Sequence, residues 1–118
     1  MKTIYNGVMH TEEVCKMADI PNGTMKGFTV KDKQVLVANV DGNFYAMDAI
    51  CSHMHGYLPS GKLERNIVIC PVHEANFDVT TGKVVKDVRR LFRMAIGGAK
   101  DLQIYKASIK DDSVFIEL

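Results

Sequence analysis

Residues 35–47 constrain the fold most. Val35-Leu36-Val37-Ala38-Asn39-Val40 is a strand-prone run with one polar interruption, Phe44-Tyr45-Ala46-Met47 is a second, and Asp41-Gly42-Asn43 separates them. An Asp-Gly pair between two such runs is the strongest short-range hairpin signal, because its tight turn requires positive φ at both central positions. The same rhythm recurs along the chain. Met25–Val30 follows the turn Pro21-Asn22-Gly23, and Ile67-Val68-Ile69 is a short buried run. Phe77-Asp78-Val79 enters the turn Thr80-Thr81-Gly82-Lys83 and leaves it as Val84-Val85. Ile104–Ile109 and Val114–Leu118 flank Lys110-Asp111-Asp112-Ser113. Many short strands at short intervals predict an all-β antiparallel sandwich or barrel. The 118 residues suit one domain, 1–118. Two stretches break the rhythm, Cys51–Gly61 and Cys70–Asn76, and both read as loops presented by the β frame.

Those loops carry Cys51-Ser52-His53 and Cys70-Pro71-Val72-His73, with the sixteen residues Met54–Ile69 between the two motifs. Two thiolates and two imidazoles make a soft four-ligand site. A structural zinc commonly takes its ligands grouped by type, Cys with Cys and His with His. Here each loop offers one of each, as a two-iron cluster with one Cys₂ iron and one His₂ iron requires. Zinc stays open at this point. Three cysteines, an odd number, argue against a disulfide framework. A net charge of +1 gives no reason to expect nucleic acid or a membrane surface as partner. No apolar run approaches the roughly 20 residues that span a bilayer, and the first residues lack the pattern of a secretory signal. A soluble, cytoplasmic protein is expected. No Ser/His/Asp set or carboxylate pair calls for catalysis.

Cys-x-His and Cys-x-x-His at this separation resemble the Rieske [2Fe–2S] signature. The resemblance extends to Met54, Leu58, Gly61, the run Ile67-Val68-Ile69 into Cys70-Pro71, Phe77-Asp78, Thr81-Gly82 and the upstream Val40–Ala46, spanning residues 12–85. It implies the Rieske (ISP-domain-like) fold: a β-sandwich or barrel base bearing a small cluster-binding subdomain built from two loops, about 51–61 and 70–77. It implies one Rieske-type [2Fe–2S] cluster, with Cys51 and Cys70 on the inner iron and His53 and His73 on the outer one. The free edges of those histidines would be the electron's exit. The implied role is that of a one-electron carrier rather than an enzyme, passing electrons from a flavin-dependent reductase to a terminal oxygenase. In this it resembles the ferredoxin components of ring-hydroxylating dioxygenases. A Rieske-like small subunit of a nitrite reductase is a close variant, and a zinc-stabilised interaction module the alternative of a different class.

Respiratory members of the family carry an extra cysteine in each loop, joined as a disulfide, and Ser and Tyr hydroxyls near the cluster. Gly56 and Val72 stand at the cysteine positions here, and Ala75 and Phe77 at the hydroxyl positions. Without those donors the potential is expected toward the low end of the Rieske range, about −150 mV. Leu58, Pro59, Pro71 and Phe77 are expected to shield the cluster on all but its histidine side. Most relatives have Gly where this chain has Glu74, and commonly Gly where it has His55. The expectation is that the loops adopt a variant without positive φ there, with His55 and Glu74 facing each other across the loop tips. Cys15 reads as a small core or edge residue on a strand, and His10 as part of a frayed N-terminus. Lys83, Lys86, Arg89, Arg90 and Arg93 form a basic segment, read as a solvated turn or as a docking patch for an acidic redox partner. It opens a longer insert to Asp101, with a helical turn expected around Leu91-Phe92.

Overall fold

The computed structural model describes residues 4–5, 8–9, 11–52, 55–72, 74–86 and 98–118, the first two pairs as backbone strands only. The strands are β1 (Ile4–Tyr5), β2 (Val8–Met9), β3 (Thr11–Lys16), β4 (Met25–Val30), β5 (Lys33–Val40), β6 (Asn43–Asp48), β7 (Lys62–Glu64), β8 (Ile67–Ile69), β9 (Asn76–Asp78), β10 (Val84–Lys86), β11 (Ile104–Tyr105), β12 (Ala107–Lys110) and β13 (Ser113–Glu117). Short 3₁₀ turns occupy Met17–Asp19 and Leu58–Ser60. All pairing is antiparallel: β11-β6-β5-β4, β12-β13-β3, β10-β9-β8-β7 and the β1-β2 pair.

Three hairpins use one device. Val30 pairs with Lys33, Val40 with Asn43, and Lys110 with Ser113, leaving two-residue turns at Lys31-Asp32, Asp41-Gly42 and Asp111-Asp112. Every one of these six residues has positive φ, between +49° and +87°. That is the type I′ geometry, whose twist matches the strands it joins.

β5 is buried from Val35 through Asn39, and its alternate side chains enter two different cores. Leu36 and Ala38 join Met47, Val68, Phe77 and Leu102 on one side. Val35 and Val37 join Ile20, Ala46, Tyr105, Val114 and Ile116 on the other. The β4–β5–β6 sheet is therefore a middle layer, between β7–β10 on one face and β3–β13–β12 on the other. Asn39, the polar interruption, is satisfied where it is buried: its Nδ2 donates to the Ile20 carbonyl at 2.9 Å and its Oδ1 accepts from the Gly42 amide at 2.9 Å.

Three sequence expectations are corrected. The strand Ile104–Ile109 is two strands, because Tyr105 pairs with Ala46 whereas Ala107 pairs with Ile116. The chain changes sheets at Lys106, as strands do at the corners of stacked sheets. β7, Lys-Leu-Glu, was not expected as a strand, since three residues with one apolar member carry no period; pairing with β8 recruits it. Asn76 belongs to β9 rather than to the second loop. His10, the turn around Leu91-Phe92 and Arg89, Arg90 and Arg93 lie outside the described residues. Lys83 and Lys86 are exposed, and no described helix is long and apolar enough to cross a membrane.

Leu36→Ala should lower stability by about 2–5 kcal/mol and Ile116→Val by about 0.5–1.5 kcal/mol. The two side chains sit in separate cores, so the double variant should lose their sum to within about 0.5 kcal/mol in urea titrations. A larger deviation would show that the middle sheet does not insulate one core from the other.

Candidate metal centre

Both cysteines open a six-residue hairpin loop of the same plan. The first loop runs from Cys51 to Gly56 between the bridged residues Ile50 and Tyr57. The second runs from Cys70 to Ala75 between the paired residues Ile69 and Asn76. In each, the cysteine amide donates to the carbonyl five residues on: Cys51 to Gly56 at 2.8 Å, and Cys70 to Ala75 at 2.8 Å. The fifth residue of each is left-handed, His55 at φ +55° and Glu74 at φ +61°. The expectation of a loop variant that avoids positive φ is thus overturned. The i to i+5 closure demands the reversal, and the chain makes it with ordinary side chains at a cost of about 1 kcal/mol each.

The two loops abut. A Cβ on Gly56 would lie 2.7 Å from the Cys70 Sγ and 3.3 Å from the Val72 Cβ, so the glycine lets the loops approach this closely without either side chain moving. Positions 56 and 72 are therefore neighbours, as the comparison with disulfide-bearing respiratory proteins implies. Cys51 and Cys70 are each 1% exposed and share one core with Leu58, Ala75 and Phe77. The Val72 amide donates to the Cys70 Sγ at 3.4 Å. Pro59 is half-buried and Pro71 is exposed. Pro71 sits at the outer turn of its loop, while Ala75 fills the interior position.

The frame holds the first loop from below. The Leu58 amide donates to the Ala49 carbonyl at 2.8 Å, and the Ala49 amide to the Gln34 carbonyl at 2.9 Å. Just before them, Asp48 Oδ1 accepts from the Tyr105 hydroxyl at 2.6 Å and Oδ2 from the Gln103 amide at 3.3 Å. Burial, then the adjacent Asp48 carboxylate, pushes the Tyr105 phenol well above its ordinary pKa. The second loop's strand ends at Asp78. Burial would raise the Asp78 pKa, but bonds from the Thr80 hydroxyl and amide and from the Asn66 side chain hold it below the usual value.

His53 and His73 lie outside the described residues, and among the described residues no three His, Cys, Asp or Glu side chains gather. Ser52, His55 and Glu74, their loop neighbours, are exposed. A groove of about 460 Å³ runs beside Cys70, and its rim mixes Lys62 and Lys86 with Glu64 and Glu74. Cys15 lies apart on β3, an edge strand, half-buried against the second core, with its thiol pKa raised by burial.

The Rieske [2Fe-2S] domain model matches residues 10–92. The chain belongs to the Rieske [2Fe–2S] family. It is 31% identical over 100 residues to the ferredoxin component of the naphthalene 1,2-dioxygenase/salicylate 5-hydroxylase systems of Ralstonia sp., covering 85% of this chain and 88% of that one. It is 31% identical over 110 residues to the ferredoxin component of biphenyl 2,3-dioxygenase of Rhodococcus jostii (strain RHA1), covering 93% and 94%. Among solved structures, a chain of the complex of reduced oxygenase and oxidised ferredoxin in carbazole 1,9a-dioxygenase superposes with a TM-score of 0.76 at 24% identity, covering 90% of this chain and 91% of that chain. This Rieske protein is an electron carrier with one Rieske-type [2Fe–2S] cluster, which leaves the zinc-stabilised module without support.

The described donors fit such a group: two sulfurs excluded from water, on adjacent loops, one of them already accepting an amide hydrogen bond of the kind that stabilises bound thiolates. What sequence reading missed is the common loop plan. Its signal was the equal spacing from each cysteine to a small residue, Cys51 to Gly56 and Cys70 to Ala75.

His55→Gly and Glu74→Gly should each be neutral or stabilising by up to about 1 kcal/mol, as relief of left-handed strain outweighs the added freedom of the unfolded chain. A loss above 1 kcal/mol in denaturant titrations would mean that the side chains contribute contacts of their own. Tyr105→Phe should cost about 1.5–3 kcal/mol at neutral pH. Because the folded phenol pKa is raised, that contribution is complete below pH about 10 and fades as pH climbs through the folded value. The stability gap between variant and parent should narrow above pH 10; a constant gap would refute the assignment.

Proposed function

We propose that this chain is the ferredoxin of a multicomponent oxygenase system, taking single electrons from a flavin-dependent reductase and delivering them to a terminal oxygenase in the cytoplasm. Cys51, His53, Cys70 and His73 hold the cluster in this reading, the cysteines on the inner iron and the histidines on the outer. The observation that carries it is the pair of buried cysteines at the same first position of two adjacent, equally built loops whose described tips are exposed. The names of the relatives support the partner, since both are ferredoxin components of aromatic-ring dioxygenase systems. The fold-mate's solved complex pairs a ferredoxin with an oxygenase.

When bound, the cluster supplies storage for one electron at a time. The chain's own part is to exclude water and set the field. Leu58, Ala75 and Phe77 wall the cysteines off from solvent, while Ser52, His55 and Glu74 stay exposed to a docking partner. Ala75 and Phe77 offer no hydroxyl, so the extra negative charge of the reduced state gains no hydroxyl hydrogen bond there. This favours a potential near the low end of the range, about −150 mV.

The test is purification with iron and acid-labile sulfide analysis, electron spin resonance after dithionite, and a potentiometric titration. Brown protein with a rhombic signal is expected. Cys51→Ser and Cys70→Ser should lose the signal while Cys15→Ser keeps it, and Ala75→Ser should raise the potential. Colourless protein holding zinc, or a signal that survives Cys70→Ser, would end this reading. Bleaching of the cluster by a flavin reductase, followed by reoxidation on adding a terminal oxygenase, tests the partners.

A further inference from the structure

Ser52 stands between Cys51 and His53, and its hydroxyl makes two bonds to one distant residue. Oγ donates to the Lys100 carbonyl at 2.6 Å and accepts from the Lys100 amide at 2.8 Å, across 48 residues of sequence. One side chain thereby satisfies both backbone groups of Lys100, as a neighbouring strand otherwise would.

Lys100 belongs to a stretch bonded to several parts of the frame around the two loops. Ala99 packs against the core that contains Cys51 and Cys70, and Leu102 is a member of it. Asp101 Oδ1 accepts from the Val84 amide at 2.9 Å, at the start of β10. The Leu102 amide donates to the Gly82 carbonyl at 2.7 Å, and the Gln103 carbonyl accepts from the Asp48 amide at 3.0 Å. Residues 99–103 thus bind the first loop, the edge strand of the cluster sheet, the turn after β9 and the end of β6.

We propose that Ser52 is a positioning residue for the cluster, clamping the first ligand loop to a strap, residues 99–103, that is itself anchored to the edge of the cluster sheet. The inference rests on the ligand reading above. Among the described residues, the first loop is closed from Cys51 to Gly56, its base is held through Ala49 and Leu58, and Ser52 and His55 are exposed. Ser52 supplies the lateral hold. With it, Cys51 keeps its place against the second loop. Without it, the first loop loses its hold on residues 99–103. Outer contacts of this kind change metal affinity by about 10–100-fold when removed. They also tune redox potential through solvent access.

The experiment compares cluster-loaded wild type with Ser52→Ala, Ser52→Thr and Asp101→Ala. It reads iron release to a chelator, midpoint potential, spin-resonance line positions and amide exchange at Lys100. Ser52→Ala should release iron about tenfold faster, shift the potential and deprotect the Lys100 amide. Ser52→Thr, which keeps the hydroxyl, should restore all three. Asp101→Ala loosens the strap elsewhere and should speed iron release in the same direction. Ser52→Ala indistinguishable from a normally loaded wild type, Ser52→Thr as impaired as Ser52→Ala, or Asp101→Ala without effect would each overturn the proposal. Wild type that lacks the rhombic signal would overturn the ligand reading itself, and the clamp with it.

Discussion

Burial of β5 on both faces is the constraint on which the rest of this molecule depends. A strand that is apolar at both odd and even positions, as β5 is from Val35 to Ala38, needs a layer above and a layer below. Val35 and Val37 recruit the β3–β13–β12 sheet, while Leu36 and Ala38 recruit the cluster sheet β7–β10. The chain meets both demands by leaving the middle sheet at Lys106, directly after β11 has paired with β6. The cluster sheet is small, with strands of three residues, and would not bury an apolar face alone. It is stable because Val68 and Phe77 pack onto the far face of β5 and β6. The base therefore supplies the apolar wall against which the cysteines sit.

The matched loops show what that wall allows. Each cysteine leaves the end of a paired segment, closes a six-residue loop through its own amide, and reverses the chain at a left-handed fifth residue. Glycine is the easy solution for that conformation. His55 and Glu74 hold it at a cost that the packing beneath, Gly56 against Cys70 and Ala75 in the core, offsets. Local strain of about 1 kcal/mol per residue persists where surrounding structure over-determines the backbone. Here it does so beside the site of function.

Much of this was legible in the sequence, and the parts that were not share a cause. The Asp41-Gly42 hairpin was read from its residues because glycine advertises positive φ. Lys31-Asp32 adopts the same turn without a glycine, and only the strand pairing around it enforces the geometry. The cysteine spacing pointed to the centre, yet the left-handed His55 and Glu74 were misjudged because loop closure, not residue preference, decides their φ. β7 and the sheet change at Lys106 are tertiary choices with no local period. Tyr105 looked like one more strand aromatic until its hydroxyl was found on Asp48, 57 positions away. Features set by the residue types of a turn itself were readable; features set by pairing, closure or contact with other residues were not.

The same distinction bears on electron transfer. A carrier works best when gaining and losing charge moves few atoms, which calls for ligands whose positions are set before the charge arrives. In the proposed reading the two cysteines meet that condition through backbone bonds at 2.8 Å at the mouth of each loop and through burial in the core shared with β5 and β6. The first loop has in addition the sideways hold of residues 99–103, a segment far downstream in the chain that reaches both Ser52 and β10. In the proposed reading such a centre is stiff on its inner, cysteine side and restrained at the first loop, on the side from which the electron leaves.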